Sequence, residues 1–135
     1  SILESTTANA FARIAIDIRR AKQYQRFNIF ESGKINILIE SLEKLEKPKV
    51  ETYLLFKDYI DSLSIIREKW MNALRIRQNF INLSSNEVQV MGDYFYMIEL
   101  LVNCKEAAVR VSPEVWEGIE SRILTLPHPA KSIQS

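Results

Sequence analysis

Glu40, Glu43 and Glu46 are the residues whose type and spacing first suggest chemistry, because closely repeated carboxylates can gather a divalent cation. They alternate with Lys44 and Lys47 on the side away from a leucine stripe, which is the pattern of a solvated helix face. No Glu-x-x-His pair accompanies them, so the ligand set of a di-iron bundle is absent. Gly33-Lys34 has the closing pair of a phosphate-binding loop. The earlier glycine of that motif would fall at Asn28, however, and residue 35 is Ile where Ser or Thr would hold the metal.

Cys104 is the only cysteine and His128 the only histidine. A nucleophilic thiolate needs a base, and the one imidazole stands between Pro127 and Pro129 near the end of the chain. Cys104 therefore reads as a small buried hydrophobe at the end of an apolar helix. His128 reads as a tail residue without the partners that catalysis or metal binding would require. No residue is assigned as catalytic, cofactor-binding or metal-ligating, and the chain is not expected to be an enzyme.

Basic residues remain. Arg13, Arg19, Arg20, Lys22 and Arg26 mark one helical segment, and Arg67, Lys69, Arg75 and Arg77 another. Brought to one surface, they could hold a nucleic-acid backbone, with Tyr24 or Tyr53 stacking on bases. Asp17, Glu51, Asp58 and Glu68 are interleaved with them, and no nucleic-acid motif is present. A mixed solvated surface is the favoured reading, and nucleic acid is disfavoured as a partner.

The elements that must carry these residues are helical. The chain has 135 residues, 47% hydrophobic and 26% charged, which suits one globular domain with one core. Its 18 basic and 17 acidic residues leave a formal charge of +1, so no global field draws it to nucleic acid or membrane. A single cysteine excludes a disulfide framework and fits a reducing, cytoplasmic compartment. No apolar run reaches the roughly 20 residues that span a bilayer, and a soluble protein is expected. The chain begins with Ser in helical register, which suggests a piece of a longer protein.

Apolar residues recur at steps of three and four, and the few glycines and prolines divide the chain into five expected helices. The first covers about residues 3–26, with Phe11, Ile14, Ala15, Ile18 and Ala21 inward and Arg13, Asp17 and Arg20 largely outward. The second carries Ile35, Leu38, Ile39, Leu42 and Leu45 and stops at Pro48. A third, over residues 49–80, repeats Phe56, Tyr59, Leu63, Ile66, Trp70, Ala73 and Phe80, with Arg77 the one polar residue in the series. At roughly 48 Å it is long for so small a domain, and a break is expected around Asp61 to Ser64.

Residues 84–127 show the closest agreement among local signals. Ser84 and Glu87 form a capping box, and Ser112-Pro113-Glu114 starts a further helix with a cap, a proline and an acid in order. The fourth helix is expected to bury Val88, Met91, Phe95, Ile98 and Val102, with Leu101 beside them and Gly92 marking a close approach by a neighbour. The fifth is expected to bury Val115, Trp116, Ile119 and Ile123, with Trp70 and Trp116 as packing anchors. An all-α fold follows: a single compact bundle of about five helices over residues 1–127 and a tail over 128–135.

The run LLVNCKEAAVRVSPEVWEGIESRILTLP, with Leu100-Leu101-Val102, Cys104, Val111-Ser112, Glu114, Ile119 and the closing Leu124 to Pro127, resembles the C-terminal helical domain of cyanobacterial NACHT-family proteins. Trp70, Leu74, Arg75, Arg77-Gln78-Asn79 and Ser84-Ser85-Asn86-Glu87 extend the likeness upstream, as do Leu42, Leu45 and Pro48. The chain departs from the family at Phe80-Ile81-Asn82-Leu83 and at Lys105.

These proteins are signal-transducing NTPases of the STAND class. The resemblance implies a non-enzymatic sensor or regulatory module of a bacterial switch, with antiphage defence as the setting. ATP and Mg²⁺ are implied for a NACHT module elsewhere in the parent protein, and no cofactor is implied for this chain. The implied partner is protein, either the same polypeptide or a trigger molecule, and not a membrane. Two other readings stand beside it: a stand-alone adaptor that dimerises through the long third helix, and a nucleic-acid-binding helical module.

Overall fold

The computed structural model describes residues 2–24, 27, 29–44, 49–75 and 83–124. Among them are seven helices and no strand: α1 (Ile2–Tyr24), α2 (Ile29–Glu43), α3 (Val50–Ser62), α4 (Ser64–Arg75), α5 (Ser85–Asn103), α6 (Lys105–Val111) and α7 (Pro113–Leu124). The all-α class is as the sequence implies. The third of the five expected helices is divided, and a short helix is added between the fourth and the fifth; neither the division nor the start of the added helix falls at a proline or glycine.

The long third helix breaks at Leu63, inside the expected window. The Ser62 hydroxyl donates to the Tyr59 carbonyl at 2.6 Å, competing with the helical ladder there. Leu63 leaves helical geometry at φ −90° and ψ 12° and is fully buried. A buried leucine at the corner lets α3 and α4 each turn an apolar face to the same core.

The fourth helix ends at Cys104, as expected, but the short α6 beyond it was not expected. Cys104 has φ −100° and ψ 13°, and its N–H reaches back to the Leu101 carbonyl at 3.0 Å. The short α6 that follows buries Ala108. Cys104 and Ala108 are both small, so α1 can pass close by, and the Thr7 hydroxyl of α1 hydrogen-bonds the Cys104 thiol.

Side-chain pairs give the helix directions. Arg19 with Glu43 and Lys22 with Asn36 run α1 antiparallel to α2. Ser41 with Thr52 and Lys34 with Asp58 do the same for α2 and α3. Arg13 with Tyr96 and Arg20 with Asp93 make α1 antiparallel to α5. The core holds Phe11, Tyr53 and Phe56 as one aromatic group, with Phe11 and Phe56 centroids 5.7 Å apart. Trp70, Tyr94 and Phe95 form another, at 5.6 and 5.5 Å. The apolar row of the third segment is buried from Phe56 through Ala73, so this chain itself covers the face offered to an adaptor dimer.

Three expectations about faces are corrected. On α5, Val88 and Val102 are 39% and 44% exposed, and the helix instead centres its buried face on Val90, Tyr94, Met97 and Leu101, with Met91, Phe95 and Ile98 along one edge. A side chain added at Gly92 would meet no described atom within 4 Å, so no described neighbour approaches closely there. On α1, Asp17 is 3% exposed and lies inside the bundle. Leu45 to Pro48, Arg77, Phe80, His128 and the expected tail over 128–135 lie outside the described residues.

Candidate interaction surface

A groove of about 220 Å³ opens between α2 and α3, lined by Glu31, Lys34, Ile35, Leu55, Asp58, Tyr59, Asp61 and Ser62. Its floor is apolar and its rim charged. The antiparallel register sets Lys34 Nζ 3.3 Å from Asp58 Oδ2. Asp61, at the end of α3, accepts from Arg122 Nε of α7 at 2.7 Å. One turn from Lys34 and one turn from Asp58, Ile37 and Leu54 stand exposed.

Below the rim, Arg67 ties three elements together. Its guanidinium donates to the Ile60 carbonyl at 3.2 Å and to the Arg122 carbonyl at 3.5 Å, spanning the break at Leu63 and the end of α7. Burial pushes the Tyr94 phenol up to about 12, with Arg67 opposing and Asp61 reinforcing the shift. Such a phenol stays protonated at any ordinary pH and serves packing, not proton transfer.

A second polar cluster lies between α1 and α5. Asp93 Oδ1 accepts from Arg20 at 3.4 Å and from Gln89 at 3.3 Å, while the Oδ2 atoms of Asp17 and Asp93 are buried without a hydrogen-bond partner. Burial, and then the Asp93 charge, raise the Asp17 carboxyl above its usual range, against the pull of Arg13 and Arg20. Tyr59 of α3 is pushed up by its own burial and by the same two carboxylates.

The residues singled out for chemistry do not converge. Glu40 is exposed, Glu43 pairs with Arg19 across the α1–α2 rim, and Glu46 lies outside the described residues. Gly33 and Lys34 sit inside α2, where no phosphate-cradling loop exists. Cys104 is a buried free thiol that burial holds above its usual range, with the Thr7 hydrogen bond acting against that shift. Among the described residues, no group of three His, Cys, Asp or Glu side chains is placed to hold a metal.

The basic residues are dispersed as well. Arg20 is engaged with Asp93, Lys69 with Glu87 at 2.9 Å, and Arg13 lies 5.4 Å over the Tyr96 ring. Tyr53 is 1% exposed, which removes it as a base-stacking platform. Arg26 and Arg77 lie outside the described residues, as does the Arg75 side chain. No helix among the described residues is long and apolar enough to cross a membrane.

Sequence reasoning missed the Asp17–Asp93 cluster, although a signal for it was present. Ala10, Ile14, Asp17 and Ala21 follow one another at steps of four, three and four, so Asp17 occupies an inward position of the α1 stripe.

No curated protein and no solved structure matches the chain. A family model does, over residues 35–127, about two thirds of the length: NACHT C-terminal Helical domain 2. The match takes in α2 from Ile35 onward and all of α3 to α7, and leaves α1 and the start of α2 outside. It includes the capping box at Ser84, the Ser112 cap, the Trp116 anchor and the groove-forming part of α3, all features that build a fold and none that performs a reaction. The chain therefore belongs to the NACHT C-terminal helical domain 2 family, a non-catalytic helical part of NACHT proteins.

Proposed function

We propose that this chain is a sensor or regulatory module of a bacterial NACHT signalling NTPase, working through protein contacts, with antiphage defence as its setting. The family match carries the reading, because a helical domain of this kind accompanies an ATP-hydrolysing module and supplies no chemistry of its own. ATP and Mg²⁺ belong to that other module. The α2–α3 groove is the contact surface proposed here: an apolar floor of Ile35 and Leu55, flanked by Ile37 and Leu54 and rimmed by charges, suits a protein partner. That partner is either the rest of the same polypeptide or a trigger molecule.

Adaptor and nucleic-acid readings have less to support them. The aromatic row that would have dimerised lies in the core, and several of the basic side chains are paired with acids or carbonyls.

Reading the intact gene is the first test. A NACHT module encoded upstream supports the proposal, and a complete gene beginning near Ser1 sinks it. In the intact protein, Leu54→Asp, next to the lining residue Leu55 and exposed, should alter trigger-dependent ATP hydrolysis while leaving the melting temperature within a few degrees. Unchanged hydrolysis with and without trigger would remove the groove from the mechanism.

A further inference from the structure

The α2–α3 groove changes character along its length. The two helices run antiparallel, with Ser41 beside Thr52 and Lys34 beside Asp58. That register sets Leu55 toward one end, Ile35 and Tyr59 midway, and Glu31 level with Asp61 and Ser62 at the other end. One end is therefore apolar and the other carries carboxylates. From Leu55 to Asp61 the axis of α3 rises about 9 Å at 1.5 Å per residue, which an extended chain covers in roughly three residues.

Charge restricts what can lie there. Among the described lining residues Glu31, Asp58 and Asp61 are acidic, and Lys34 is the basic one. Lys34 is engaged with Asp58 at 3.3 Å, and Arg122 reaches Asp61 from α7 at 2.7 Å. Even with Arg122 counted, three acids face two bases, on a chain whose formal charge is +1. The Asp58 and Asp61 side chains are 41% and 47% exposed, so a cation arriving from outside can reach both. Such a rim repels phosphate, which disfavours nucleic acid and anionic membrane and leaves protein as the class of occupant.

We infer that the groove takes a short protein segment carrying an apolar side chain and a lysine or arginine about three residues apart. The apolar side chain lies against Ile35 and Leu55, and the cation lies among Glu31, Asp58 and Asp61. The inference rests on the reading of this groove as the contact surface and adds the chemistry of the partner. Exposed ion pairs contribute little affinity and much selectivity, so the floor holds the segment and the rim chooses it. An acidic segment would set like charge against three carboxylates. Because Asp61 already accepts from Arg122, the incoming cation shares that carboxylate with the last turn of α7.

Nuclear magnetic resonance titration of the 135-residue chain tests it, read at the methyl groups of Ile35 and Leu55. The probes are the capped peptide Leu-Ala-Ala-Arg-Ala-Ala-Leu, which offers the spacing in both directions, and the same peptide with Glu in place of Arg. The Arg peptide should shift both methyl groups and bind about fivefold more tightly than the Glu peptide at low salt, the ratio falling toward one at about 0.5 M salt. Asp58→Asn should cut that ratio at least about twofold while moving the melting temperature by no more than about 2 °C. Equal binding of the two peptides, a ratio indifferent to Asp58→Asn, shifts confined to other surfaces, or no response at millimolar peptide would overturn the inference. So would a dimer whose interface covers the same methyl groups, because a second copy would then be the occupant. If Leu54→Asp alters ATP hydrolysis in the intact protein and the Arg peptide still shows no preference, the contact surface stands and the partner chemistry fails.

Discussion

In the arm formed by α5, α6 and α7, Ser84 Oγ accepts from the Glu87 N–H, Ser112 Oγ accepts from the Val115 N–H, and Trp116 Nε1 donates to Glu120. Across the α1–α5 contact, Asp17 and Asp93 each keep one buried oxygen without a donor. Both regions pack similar apolar side chains and differ in the fate of their polar atoms. Around the two caps and the Trp116 indole the polar atoms named have partners, and burial of Trp116 and Ile119 stabilises with little offset. Where a partner is missing, burial of Ile14 and Ile18 must also carry the desolvation of two acids.

The largest effect expected on either side is Trp116→Ala. It empties a buried indole position at the base of the arm and should cost about 3–5 kcal/mol. A chain of this size should then lose roughly 10–20 °C in melting temperature, as differential scanning calorimetry would read. An unchanged midpoint would mean that the arm does not depend on its anchor, and the contrast with α1 would collapse.

Asp17→Asn should act in the opposite direction and stabilise by on the order of 1 kcal/mol at neutral pH. The pH dependence gives the sign away. Folding raises the Asp17 carboxyl, so the folded state holds a proton that the unfolded chain releases from about 3.8 upward. Below that value the substitution should gain little. Its benefit should grow as pH climbs toward the raised folded value and then level off.

Glu87 behaves in the reverse sense. The Ser84 backbone N–H, and then Lys69, hold its carboxyl low, so its stabilising share is present above about 4.5 and lost as pH falls. Urea denaturation across the acid range, wild type against each variant, separates the two. A benefit of Asp17→Asn that does not vary with pH would mean the carboxyl is not perturbed by folding.

Local chemistry made the arm legible in the sequence. A capping box and a Ser-Pro-Glu start involve atoms three residues apart, so reading them needs no tertiary knowledge. The break near Leu63 was legible from length alone, although its cause, the Ser62 hydroxyl on the Tyr59 carbonyl, was not. The end of the fourth helix at Cys104 was legible, whereas α6 beyond it, at seven residues, is too short to leave a periodic mark of its own. On α5, two apolar rows overlap, and Val88, Met91, Phe95, Ile98 and Val102 formed the more regular one. Tyr94 and Met97 decide which side faces inward through what they touch. Asp17 was read by its charge when its register, in step with Ile14 and Ala21, placed it inside.

Ser84→Ala sharpens the comparison from the satisfied side. It leaves a donor at the start of α5 without its acceptor and should cost about 1 kcal/mol, with the first-turn amides of α5 exchanging faster. An equal loss of protection in α1 would show that the two regions are not independent.

Gly92→Ala is the smallest change and tests α5 where neither region claims it. Gly92 lies within the Ser85–Asn103 helix on the face opposite Tyr94, and a methyl group there meets no described atom within 4 Å. Alanine loses less backbone entropy on folding and should add about 0.5–1 kcal/mol of stability. The gain should appear as a slightly higher urea midpoint with the slope unchanged. If the substitution instead destabilises, something outside the described residues lies against that face of α5, and the glycine is there to admit it.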